Sequence, residues 1–312
     1  MRSTLYAILF ILITAGCDRQ QPDPDFNAVV SNPAFTSKSP RILFDHAHQN
    51  LHTMNGTYHP FVDLLVNDGF SVYSNEKVFS QESLHGYDIL VIVNPKGKEK
   101  KYDPAFTDAE CSAVEAWVRN GGSLLFIADH HPIGSASEIL SKHFGIAMTK
   151  GFTNDSVYFD SSSFTASQID GKSQLIFSRA HGLISNHPIT LGRDSSERIN
   201  TIITFTGQSL RGAGNSFLNL SAHAVDVIPD SIWETKGFLD TDTHTRFADP
   251  VSAAGKSQGM ALEFGKGRVV VLGEAAMLTA QRLKNEKFGM QLPGIDNRQL
   301  TLNIMRWLGR AL

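Results

Sequence analysis

Apolar residues recur between positions 41 and 144 in short runs separated by amphipathic stretches, a pattern that predicts alternating strands and helices. Ile42-Leu43-Phe44 reads as a short buried strand. His59 to Asp68 sets Phe61, Leu64 and Leu65 on one helical face, with Val62 and Val66 less regular and Gly69 as the stop. Phe70 to Tyr73 is a second strand, and Tyr87 to Val93 a third, dominated by β-branched residues and ended by Asn94-Pro95. Thr107-Asp108-Ala109-Glu110 is a capping box, because the Glu lies three residues after the Thr. Its helix carries Cys111, Val114, Trp117 and Val118 and closes at Asn120-Gly121-Gly122. Leu124 to Ala128 is the fourth strand, and Ser135 to Glu138 predicts another capping box. From Gly151 to Gln258 the pattern breaks into Ser-, Thr-, Asp- and Gly-rich sequence, with strand-like runs at Ile199–Phe205 and Ser216–Ile228. It resumes with Gly267–Leu272 and a final helix, Arg298–Leu312.

Strands separated by helices imply right-handed crossovers. The expected fold is therefore α/β, a flavodoxin-like, mostly parallel sheet with helices on both faces, spanning 41–312 with an insertion at about 151–258. In such an order the crevice opens at the carboxyl ends of the first and third strands. Asp45-His46-Ala47-His48 and Asn94-Pro95-Lys96 would flank it, Asp129-His130-His131 would lie one strand further along, and Glu274 beyond that.

The amino terminus changes the picture of location. A single Arg2, an apolar stretch from Leu5 to Ile13 and then Thr14-Ala15-Gly16-Cys17 form a signal peptide over 1–17 that resembles a bacterial lipobox. Cys17 would carry lipid, anchoring the protein to a bilayer in the cell envelope, facing the periplasm or the exterior. Residues 18–40 hold four prolines without apolar periodicity and read as a disordered tether. The other cysteine is Cys111, so a lipidated Cys17 leaves no intramolecular disulfide. A formal net charge of -3 with no concentrated basic surface excludes nucleic acid as a partner.

Candidate chemistry gathers in the two His/Asp clusters. Imidazole and carboxylate are ligands of catalytic zinc, and manganese accepts the same donors. His46 and His48, two apart, would point to one side of an extended segment. Asp45, His46, His48, His130 and His131 are the candidate metal ligands, with Asp129 and Glu274 as catalytic carboxylates. A metal-free polar site, or capping of helix N–H groups by the Asp residues, fits the same pattern.

Arg41–Asp45, the Tyr87–Val91 strand, the Thr107–Gly122 helix, Leu124–His131 and Gly265–Leu272 together resemble the class I glutamine-amidotransferase-like superfamily, in particular uncharacterised bacterial envelope proteins. The resemblance covers about 41–144 and 262–312 and implies that fold. It also implies a nucleophilic Cys on a Gly-rich turn, whereas Ala128-Asp129-His130-His131-Pro132 stands there. Cys111, on the apolar stripe of a helix, reads as core. The expected function is a metal-assisted hydrolase of a small or cell-wall-derived substrate. The alternative is a non-catalytic module that binds a glycan, peptide or protein.

Overall fold

The computed structural model describes residues 20–97, 104–161, 172–236, 241–283 and 286–312, with backbone alone for 232–236 and 241–245. Residues 1–17, and with them the expected lipidation site Cys17, lie outside the described residues. The chain is an α/β protein built on a nine-stranded sheet. Its strands are β1 (Arg41–Asp45), β2 (Ser71–Asn75), β3 (Ile89–Val93), β4 (Ser123–Ile127), β5 (Ile146–Met148), β6 (Leu210–Gly212), β7 (Asn215–Asn219), β8 (Ser257–Phe264) and β9 (Gly267–Leu272). The spatial order is β2-β1-β3-β4-β9-β8-β6-β5, with β7 also paired to β8.

The first four interfaces in that order are parallel. The remaining ones are antiparallel, which corrects the expectation of a mostly parallel sheet. The cause is local. Only Gly265-Lys266 separate β8 from β9, and a two-residue turn can return the chain only antiparallel. Gly265 takes φ +61 there, and a Cβ on it would sit 2.6 Å from the Arg119 carbonyl oxygen, so the turn requires glycine.

The parallel strands β1, β3, β4 and β9 are apolar on both faces, as a sheet covered on each side requires, while the edge strand β2 is partly exposed. Ile42, Phe44, Val91, Leu125 and Val270 pack with α1 (His59–Asn67) and the last helix, Asn297–Leu308. Leu43, Leu90, Ile92, Phe126 and Val271 pack on the other side with α2 (Asp108–Arg119) and α3 (Ile133–His143). The Thr107–Glu110 capping box of α2 is present. The second expected box is not. α3 starts earlier, at Ile133 after Pro132, without a side-chain cap, because Ile133 is drawn into the core.

Residues 20–40 are not the tether their composition suggested. Gln21–Pro22 pairs with Ala280–Leu283, and Phe26, Val30 and Phe35 pack on the core. The Asn32 carbonyl accepts from the guanidinium groups of Arg193 and Arg306. Arg306 is itself buried between the Asp68 and Glu197 carboxylates, at 2.6 and 2.7 Å. A few large apolar side chains and one buried cation thus hold a proline-rich segment to the domain. The 151–258 insertion is woven into the same domain. It supplies β6, β7 and the start of β8 to the main sheet, and Leu175, Phe177, Ile189 and Ile202 to the core.

Candidate functional site

β1, β3, β4 and β9 run parallel, so Asp45, Asn94, Asp129 and Glu274 all fall at one edge of the sheet, the carboxyl edge. They divide between the two faces of the sheet and make two separate clusters.

On the α2 face, β1 ends in Asp45, which is fully buried. Its carboxylate lies 2.8 and 2.9 Å from His48 Nδ1 and accepts from the Ala47 N–H and from Asn75 Nδ2. His48 Nε2 is 2.8 Å from Glu110 Oε1, and the ring sits between Phe79 and Phe106 at 4.6 and 4.7 Å. Burial works against the imidazolium, but the carboxylates on both nitrogens outweigh it and hold His48 above its ordinary range. Glu110 is also the N3 residue of the α2 capping box. One side chain therefore caps a helix and clamps a buried histidine.

His46 does not share His48's side. The strand stops at Asp45 and a turn follows, so the two-residue period no longer applies. The His46 ring packs edge-on against Phe44 at 5.6 Å, accepts from the Met54 N–H through Nε2, and holds Nδ1 3.4 Å from Glu76. His130 stacks on Phe152 at 4.2 Å, and its Nδ1 is 2.6 Å from the His131 carbonyl oxygen. The expected metal set of Asp45, His46, His48, His130 and His131 is therefore not assembled. Both His48 nitrogens meet carboxylates, and among the described residues no three His, Cys, Asp or Glu side chains are grouped to hold a metal ion.

On the α1 face a different cluster forms. Asp129 Oδ1 accepts from the Ala275 N–H at 2.7 Å, which ties the loop after β4 to the loop after β9. Its Oδ2 accepts from Asn94 Nδ2 at 2.6 Å, and the Asn94 Oδ1 accepts from the Asp129 N–H. Asn94 makes this reciprocal pair from a left-handed φ of 47°, which asparagine tolerates better than most residues. Behind Asp129, Glu274 is buried and accepts from the Ala276 and Met277 N–H groups. Burial, with the nearby Asp129 charge, pushes the Glu274 carboxyl well above the ordinary carboxylate range.

His52 completes this cluster. The loop that carries it is pinned by the Leu51 N–H on the Asn94 carbonyl, and its ring packs against Tyr58 at 5.2 Å. Its Nδ1 is 2.5 Å from Thr57 Oγ1. Burial lowers its pKa, and the Asp129 charge opposes that fall. Tyr58 donates to the Ala275 carbonyl at 2.7 Å, and burial pushes its phenol far up. The structure thus brings Asp129 and Glu274 together with His52, Tyr58 and Asn94. Tyr58, His52 and the Asp129–Asn94 pairing were not among the candidate residues read from the sequence. The one available signal was the Asn94-Pro95 stop after a strand, which put Asn94 at the same edge.

No family model matches the chain, and no curated protein matches it. Among solved structures it is similar to one described as the mmIFT52 N-terminal domain, at 15% identity over 86% of this chain and 97% of that one, with a TM-score of 0.56. A putative ThuA-like protein from Bacteroides uniformis is 13% identical over 89% of this chain and 93% of that one, with a TM-score of 0.41. A second putative ThuA-like protein, from Parabacteroides merdae, is 13% identical over 87% and 90%, with a TM-score of 0.43. The first shares the fold; the other two are too far in shape to add to it. The resemblance to the class I glutamine-amidotransferase-like superfamily is corrected by these findings, since no family model matches and the structure that shares the fold bears another description. The turn after β4 carries Asp129, and Cys111 is a buried α2 residue whose thiol is pushed up to about 12 by burial and by Glu110 and Asp108.

Proposed function

We propose that the carboxyl edge carries an acid–base hydrolytic site for a small polar substrate, with His52 as the base and Asp129 as its charge partner. The carrying observation is the electrostatic pairing of a half-buried imidazole of lowered pKa with a carboxylate fixed by Ala275 N–H and Asn94. A base must be neutral when it meets its water, and the lowered pKa keeps His52 so. The imidazolium formed on proton transfer is then stabilised by Asp129, the logic of an imidazole–carboxylate pair. Thr57 on Nδ1 leaves Nε2 as the working nitrogen. Burial and the Asp129 charge raise the Glu274 carboxyl, which weakens it as a second negative charge beside Asp129. The order β2-β1-β3-β4-β9, flavodoxin-like in its parallel half, supports a crevice at this edge.

The residues of the expected metal set do not fit a metal ion, and no step is assigned to one. Placement in the bacterial envelope through lipid on Cys17 belongs to the same proposal, with a cell-wall-derived fragment as the substrate class. The test is hydrolysis of chromogenic acetate esters, phosphate esters and glycosides by the full chain, His52→Gln and Asp129→Asn. Turnover lost in both variants is expected. Turnover untouched by either variant, or absent from the wild type on every substrate, would leave a non-catalytic binding module as the better account.

A further inference from the structure

At the opposite edge of the sheet, by the starts of β3 and β4, lies a cavity of about 620 Å³ bounded by residues 34–40, the turn between α2 and β4, and the end of the last helix. That volume is in the range of small-molecule sites. One wall is fixed in place. The Ala34 N–H donates to Asp68 Oδ1 at 2.9 Å, Ser39 Oγ donates to the Gly69 carbonyl at 2.6 Å, and the Phe35 ring packs on Phe70 at 4.6 Å. The floor is aromatic. The Trp117 indole lies directly over Gly122, where a Cβ would come within 2.4 Å of ring atoms Cδ2 and Cε2. Glycine therefore lets the ring lie against the backbone, with one face covered and the side chain half-buried. Of the other two lining aromatics, Phe35 is turned onto Phe70 and Gly309, and Tyr87 already has the Arg41 guanidinium over its ring at 4.7 Å. The cavity thus offers one aromatic platform rather than a sandwich.

Its rim carries exposed Lys38, Asp88, Asn120 and Arg310, which are two cations, a carboxylate and an amide. Arg310 is steadied by the Gly121 and Lys266 carbonyls that its Nη2 donates to. We propose that this cavity is a saccharide-binding site. A hexose ring lays its C–H face on Trp117, and its hydroxyls, each donor and acceptor, reach the rim groups of Asp88, Asn120, Lys38 and Arg310. A nucleotide would be served better by two ring faces and a corner of one charge. The site stands at the other edge from His52 and Asp129, so it does not depend on their chemistry.

The test is titration of the full chain with cellobiose, maltose and N,N′-diacetylchitobiose, read by calorimetry and by ligand-observed NMR. Saturable binding of at least one is expected, with a Kd on the order of 1 mM, weakened at least about tenfold in Trp117→Ala and in Asn120→Ala and unchanged in Asp129→Asn. Asn120→Ala alters only an exposed rim residue, so it decides the matter if Trp117→Ala fails to fold. No saturable binding of any of the three, binding indifferent to the rim and platform variants, or binding of AMP in their place would overturn the proposal.

Discussion

Glu110→Ala should be among the most damaging single changes in the chain, for reasons that can be counted. Glu110 Oε2 accepts from the Thr107 N–H and hydroxyl, at 2.9 and 2.8 Å. Its Oε1 accepts from the Phe79 N–H at 3.2 Å and faces His48 Nε2 at 2.8 Å. Loss of the reciprocal cap alone costs about 1 kcal/mol. A buried Phe79 N–H left without an acceptor costs about 1–3 kcal/mol, and breaking a buried charge pair about 3–5 kcal/mol. These overlap, so the expected total is about 3–5 kcal/mol, a large part of a typical domain's stability. Glu110→Gln keeps the shape but has one acceptor oxygen, and should cost about 1–3 kcal/mol. The pH dependence has a definite sign. His48 is raised above 6.5 in the fold, so its contribution is full below that value and is lost as pH rises through the elevated one. Glu110 is lowered below 4.5, so its contribution is full above that value and fades as pH falls through the depressed one. The gap between wild type and Glu110→Gln should therefore be widest between 4.5 and 6.5 and narrow at alkaline pH. Urea unfolding followed by circular dichroism at several pH values measures it. A loss below about 1 kcal/mol in Glu110→Ala, or equal pH slopes for wild type and Glu110→Gln, would refute the clamp.

Cys111, with its thiol at about 12, should resist iodoacetamide in the native state at neutral pH and react on unfolding; prompt native labelling would contradict its burial. Arg306→Leu leaves Asp68 and Glu197 buried without their cation and should cost about 3–5 kcal/mol. It should also expose residues 20–35 to limited proteolysis, read by mass spectrometry, because the Asn32 carbonyl loses a donor. Cys17→Ala should move the protein from the membrane to the soluble fraction; unchanged partitioning would reject the lipid anchor.

Strands β1, β3, β4 and β9 of the parallel half were legible because each is a short apolar run ended by a polar residue or a Gly-containing turn, and α2 because its capping box is local. The antiparallel half was not. β5, β6 and β7 are three to five residues each, and the pairing of β6 and β7 with β8, and of β5 with β6, depends on contacts far apart in the chain. Asp129 and Glu274 were found from their position after strands. The division of the histidines was hidden, because His46, His48 and His52 leave one loop for different surroundings once the strand ends at Asp45. Proline content misled at residues 20–40, where Phe26, Val30 and Phe35 were the informative positions.

The central claim is that His52 and Asp129 form one electrostatic unit at the carboxyl edge. Its most direct measurement is the NMR pH titration of the His52 imidazole, assigned with His52→Gln, in the wild type and in Asp129→Asn. Burial should place the wild-type midpoint below 6.5, and removal of the Asp129 charge, which holds it up, should lower it further. A wild-type midpoint at or above 6.5, or one that does not move in Asp129→Asn, would contradict the account.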